Sequence, residues 1–134
     1  MTIPRALAAA LIAVAAGAPA CGNGDPVRAV EVSMHYSKYA PGTLQVPVGK
    51  PVRFELHNDD PIDHEFIVGD AALHERHETG TEPRHDERPT EVSVDALTDR
   101  TTVITFTEPG TFTYACHLPG HRAYGMEGTL IVTP

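Results

Sequence analysis

The sequence predicts an all-β fold, a sandwich of about eight short strands. Three observations carry that prediction: apolar and polar residues alternate in short runs, turns rich in Gly, Pro, Asn and Asp separate the runs, and only one stretch reads as helix. The chain has 134 residues, enough for one domain with an adequate core. Aromatic residues make up only 6% and Trp is absent, so Val, Ile, Leu and Phe must fill that core.

Residues 1–20 join an early Arg5 to an apolar run of small side chains, the pattern of a secretory signal peptide rather than of a membrane span. Ala18-Pro19-Ala20 fits a cleavage site. Cys21 then stands at the first mature position, where a bacterial lipoprotein carries its lipid. Residues 21–28 read as a flexible tether, and 29–134 as the folded domain. The expected product is exported to the bacterial periplasm or cell surface and touches a membrane only through a lipid on Cys21. A Cys21–Cys116 disulfide is rejected, because Cys116 is better used as a thiolate ligand.

Ala29 to Met34 alternates with Val30, Val32 and Met34 on one face. Tyr39-Ala40-Pro41-Gly42 reads as a turn and Thr43 to Val48 as the second strand. In Val52 to His57, the inward residues are Val52, Phe54 and Leu56, which leaves His57 facing solvent. Asn58 to Pro61 is turn chemistry, and His64 to Val68 resumes the extended pattern, so His64 falls at a loop–strand junction. Gly69 to Pro89 reads as an irregular, charged and exposed excursion. Within it Ala71 to Glu78 forms two turns of helix, with His74 and His77 at i, i+3 on one face. Strands return at Glu91 to Val94, Thr101 to Thr107, Thr111 to Cys116 and Gly128 to Thr133. Glu108-Pro109-Gly110 is expected to be the hairpin turn between two of them.

Eighteen acidic against ten basic residues give a formal charge of −8, which argues against nucleic acid as a partner. The chemistry concentrates in T-F-T-Y-A-C-H-L-P-G-H-R-A-Y-G-M-E-G, residues 111–128, where Cys116, His121 and Met126 stand at a C-x4-H-x4-M spacing. Thiolate, imidazole and thioether are soft-to-borderline donors. With one more imidazole they form a His2Cys site with a weak axial Met, a set that favours copper. Singly, a Cys is more often a small buried hydrophobe and a Met a core filler. Three such donors on one Pro/Gly-broken loop outweigh that bland reading.

F-T-Y-A-C-H-L-P-G-H-R-A-Y-G-M, with N-D-D-P-I-D-H-E-F upstream, resembles the cupredoxins, the small blue-copper proteins of plastocyanin and azurin type. The resemblance runs from about Val30 to the end. It implies a Greek-key sandwich with its copper loops at one end, and one mononuclear copper held by His64, Cys116, His121 and Met126. His64 and His121 would complete a plane with Cys116, with Met126 axial. Two residues depart from the family pattern. Glu65 follows the first His ligand where a small polar residue often ties the ligand loops together. His117 follows Cys116 and, by strand alternation, should face away from the copper.

The function this implies is transfer of single electrons between redox partners, docked briefly at the His121 edge, which is rimmed by Leu118, Pro119, Ala123 and Tyr124. The chain is expected to be a monomer and not an enzyme. A copper-binding, trafficking or tolerance protein would use the same ligands. A Cys-His pair links two coppers in the related nitrite reductases and multicopper oxidases. That makes a copper-enzyme subunit using Cys116-His117 a third reading, disfavoured here by a single domain without His-x-His. His74, His77 and His85 read as a solvated polar group rather than as a second metal site, since H-x2-H alone is unspecific.

Overall fold

A computed structural model describes residues 27–78, 85 and 88–134. Residues 1–26, which hold the expected signal peptide, Cys21 and most of the expected tether, lie outside the described residues. Among the described residues nine strands and one helix follow in the order β1 (Arg28–Met34), β2 (Tyr39–Ala40), β3 (Thr43–Pro47), β4 (Pro51–Asn58), β5 (His64–Gly69), α1 (Ala71–Glu78), β6 (Glu91–Val94), β7 (Asp99–Thr105), β8 (Gly110–Ala115) and β9 (Glu127–Thr133). Among the described residues no helix is long and apolar enough to cross a membrane.

The strands build two sheets, one in the order β2-β1-β4-β7 and one in the order β3-β9-β8-β5-β6. Parallel pairs β1–β4 and β3–β9 link strands distant in sequence, while the other pairings are antiparallel. Alternation decides which side chains meet between the sheets. Val32, Met34, Val52, Phe54 and Leu56 point in from one sheet, and Phe66, Val68, Val92, Val94, Tyr114, Leu130 and Val132 from the other. Tyr39 and Tyr114 join Phe54 and Phe66 in a contiguous aromatic chain with ring centroids 5.1–6.2 Å apart. The core therefore recruits two tyrosines besides Val, Ile, Leu and Phe.

Two local expectations are corrected. Tyr39-Ala40 is not only turn but a two-residue strand, pairing Met34 with Tyr39 and Ser33 with Ala40. Glu108-Pro109-Gly110 does not close a hairpin. β7 lies along β4 in one sheet, while β8 lies between β9 and β5 in the other, so both edges of β8 are already taken. The turn carries the chain across the sandwich instead, and Phe106 and Phe112 pack against each other on its two sides, 5.7 Å between rings.

Helix α1 starts where the Asp70 carboxylate accepts the Leu73 amide at 2.8 Å, an N-cap bond. It packs over β5 and β8, on the face of the five-stranded sheet turned away from the core. His57 is partly exposed as expected, with Nδ1 2.9 Å from Asp99 Oδ1.

Candidate metal centre

At one end of the sandwich three donor groups converge: His64 from the first position of β5, Cys116 just past β8, and His121 from the loop between β8 and β9. Nδ1 of His64 lies 3.2 Å from Nδ1 of His121, and Cys116 Sγ lies 3.3 Å from the same nitrogen. His64, Cys116 and Met126 have no exposed surface, while His121 is partly exposed. Met126 is tied to the other two loop residues through its backbone. Its amide donates to the His121 carbonyl at 3.0 Å, and its carbonyl accepts from the Cys116 amide at 3.2 Å. The two imidazoles and the thiol thus lie together, and Met126 joins Cys116 and His121 through its backbone.

Sequence explains why the loop can fold this way. Gly120 and Gly125 adopt φ of 84° and 87°, a left-handed conformation that side-chain-bearing residues resist. Between them the Tyr124 amide bonds Gly120 O and the Gly125 amide bonds Arg122 O, which coils the segment tightly enough to return Met126 beside Cys116.

Each donor is also oriented from behind. His64 Nε2 lies 2.8 Å from Asp60 Oδ2, so the ring donates there and presents Nδ1 to the site, the carboxylate–histidine arrangement that fixes tautomer and rotation. Asp60 is pinned in turn by the amides of Tyr36 and Ser37, both at 2.8 Å. Burial alone would raise its carboxyl. The Ser37 amide, the His64 ring and the Tyr36 amide more than offset this and hold it below the usual carboxylate value. Tyr36 and Ser37 both have positive φ, 51° and 52°, which is what turns two successive amides toward one anion. Asn58 secures the same loop by donating to Ile62 O, Val94 O and Asp95 O and accepting the Asp60 amide. Sequence reading missed Asp60. Its signal was a carboxylate four residues before His64 on the same turn.

Burial pushes the Cys116 thiol up to about 12, although the Leu118 and Glu65 amides donate toward the sulfur and pull the other way. Burial and the neighbouring His64 lower His121, with Asp60 opposing. His121 can therefore offer a lone pair near neutrality, while the thiol gives up its proton only to a cation.

Glu65 supplies the tie that its unusual identity put in question. Its Oε2 accepts the His117 amide at 3.0 Å, so a carboxylate links the two ligand segments. Burial raises its pKa, with His85 as the leading opposing influence. His117 faces away from the thiol, with Nε2 2.9 Å from His74 Nδ1. Burial, reinforced by His74, pushes it down to about 4.

The remaining imidazoles overturn one expectation. His74 and His85 are 1% and 6% exposed, not solvated, because α1 and residue 85 close over the outer face of the five-stranded sheet. Their sequence neighbours are polar and charged, so the pattern gave no hint of a cover.

Copper is the cofactor this donor set fits. A thiolate and a buried thioether suit a soft ion, two imidazoles suit the divalent state, and one site serving both oxidation states needs each kind. The amides aimed at sulfur and the Asp60 behind His64 hold these donors in place without metal, which a preorganised site requires.

Known proteins point the same way. The copper-resistant cuproprotein CopI of Pseudomonas aeruginosa is 29% identical over 140 residues, covering 80% of this chain and 77% of that protein. The protein of the same description from Rubrivivax gelatinosus is 35% identical over 98 residues, 71% of this chain but only 59% of that protein. Among solved structures, auracyanin B superposes with a TM-score of 0.67 at 25% identity, covering 84% of this chain and 93% of its own. Auracyanin from Roseiflexus castenholzii gives 0.69 at 20% identity, covering 79% and 97%, and shows a shared fold. With residues 5–132 matching the cupredoxin-like domain, two sheets stacked as in auracyanin B, and thiol and imidazoles gathered at one end, the chain belongs to the cupredoxin family.

Proposed function

We propose that this protein is an exported mononuclear blue-copper carrier of single electrons, with His64, Cys116, His121 and Met126 as its ligands. One observation supports this most: His121 Nδ1 already stands 3.2 Å from His64 Nδ1 and 3.3 Å from Cys116 Sγ, with His64 oriented by Asp60 and the sulfur by backbone amides. When bound, copper supplies the Cu(I)/Cu(II) couple. The chain's part is to keep the donors from moving and to keep water out. Three of the four ligands are fully buried, and His121 alone reaches toward solvent.

Around that edge the surface suits a brief encounter. Tyr124, beside His121, and Tyr36, Ile62 and Leu97, all on loops bonded to Asp60 or Asn58, are exposed large apolar side chains. With Leu118, Pro119 and Ala123 of the same loop as His121 they offer small apolar contacts, which suits transient redox encounters. Cys116 provides the strong electronic link, and catalysis is not part of this reading.

A second reading is copper tolerance by sequestration or delivery, favoured by the description of both curated relatives as copper-resistant. The purified chain loaded with Cu(II) separates the two. An intense thiolate-to-copper band that is bleached and restored by rapid exchange with redox proteins supports the carrier. A colourless Cu(I) protein that hands its metal to an acceptor supports tolerance.

A further inference from the structure

The outer face of the five-stranded sheet carries a second group of donors that the copper site does not use. Along β5 and β6 and just past β8, residues facing the core alternate with Glu65, Glu91, Ser93 and His117, which lie on the outer face of the sheet. Helix α1 adds His74 and His77. His85 is locked beside β6 by two bonds, its amide to Ser93 Oγ at 2.8 Å and its carbonyl from the Ser93 amide at 2.7 Å. The side chains of His77, His85, Glu91 and His117 are 10%, 4%, 6% and 3% exposed.

Several backbone and side-chain bonds leave this group poised as ligands. His77 donates Nδ1–H to Leu73 O at 2.8 Å, which leaves Nε2 as a lone pair; that atom is buried, has no hydrogen-bond partner among the described residues and lies 3.4 Å from Glu91 Oε2. Arg88 takes the other Glu91 oxygen at 2.9 Å, so Oε2 is the one turned to the imidazoles. His85 Nδ1 lies 3.7 Å from the same Oε2. One donor atom each from His77, His85 and Glu91 falls within 4.8 Å of the others. Beside them His74 donates Nε2–H to Thr113 O at 3.0 Å and turns Nδ1 to His117, whose own Nδ1 is buried without a hydrogen-bond partner.

We propose that His77, His85 and Glu91 form a second metal site, which takes a divalent first-row transition ion and binds Cu(II) in preference to Zn(II), with His74 and His117 as adjoining imidazoles. The donor set is nitrogen and carboxylate without sulfur, so it suits a divalent ion and not soft Cu(I). Among divalent ions the intrinsic affinity order for such donors peaks at copper. An imidazole anchored to a carbonyl through one nitrogen, as His77 is, is how proteins orient a histidine ligand before metal arrives. A proton-linked His–Glu network would need those nitrogens protonated and hydrogen-bonded, which the orphaned His77 Nε2 is not.

The test is the copper content and Cu(II) resonance spectrum of the full chain after loading with Cu(II) and removal of loosely bound ion. Two coppers per chain are expected, one with the thiolate band and one with an imidazole–oxygen signature lacking it. Cys116→Ser should lose the first and keep the second. His77→Gln and Glu91→Gln should each lose the second and keep the thiolate band, which also shows that these variants fold. A wild-type chain that holds one copper, all of it in the thiolate band, overturns the proposal. So does a second copper that survives in both variants. Displacement of the second copper by an equal concentration of Zn(II) overturns the assignment of Cu(II).

Discussion

At Met126, the proposed axial ligand, a single side chain is expected to set a measurable property of the molecule. Met126→Leu removes a weak donor at nearly constant volume, a swap cores usually tolerate at under about 1.5 kcal/mol. Cu(II) gains more than Cu(I) from an added ligand, so the reduction potential should rise. A tenfold change in relative affinity corresponds to about 59 mV for one electron. Met126→Gln, with a harder oxygen donor, should lower it, and voltammetry at one pH compares the three. Asp60→Asn keeps the shape behind His64 but loses the anion that takes its ring proton and two amides. Copper affinity should fall about ten- to a hundredfold, read by chelator competition. Because the Cys116 thiol is pushed up to about 12, it is protonated throughout the neutral range. Each copper must displace that proton, so affinity should increase about tenfold per pH unit between roughly pH 7 and 8. Loss of affinity on raising the pH would contradict this sign. The donors themselves were legible, since Cys116, His121 and Met126 declare their chemistry by spacing. Asp60 was not, because its role depends on two left-handed residues, Tyr36 and Ser37, that lie more than twenty positions upstream.

Strands were the most readable elements, because alternation reports which face is buried without reference to the partner strand. Val52, Phe54 and Leu56 are fully buried as their pattern requires. Pairing was less readable. A Pro-Gly turn says that the chain reverses, not whether the neighbouring edge is vacant, and at 108–110 both edges of β8 belong to other strands. Burial of His74 and His85 escaped for a related reason: polarity marks what water tolerates, whereas a cover supplied by α1 is a tertiary fact. The β8–β9 pair supports its own prediction. Gly128 faces Tyr114 so closely that an added Cβ would lie 2.2 Å from the ring. Gly128→Ala should therefore cost about 1–3 kcal/mol by overpacking, visible as a lower midpoint in urea with unchanged slope.

Across the whole molecule, a formal charge of −8 accompanies exposed Tyr36, Ile62, Leu97 and Tyr124 on the loops around the proposed copper site. Electron exchange with a basic redox protein should slow as salt is raised, because screening removes the steering that charge provides. Stopped-flow rates with one basic and one acidic partner should show opposite salt trends, and parallel trends would remove charge as the guide. The fold also imposes an arithmetic on its own descent. Cys116 and His117 are neighbours in the chain yet serve opposite faces of one sheet, the thiol inward and the imidazole under α1. Deleting one residue from β8 would exchange them, presenting an imidazole to the core and a thiol to the helix, and would turn Tyr114 out with it. Deleting two would restore every face. Along this strand, only a change of even length leaves every face in place without a bulge to absorb it, so length there carries a parity.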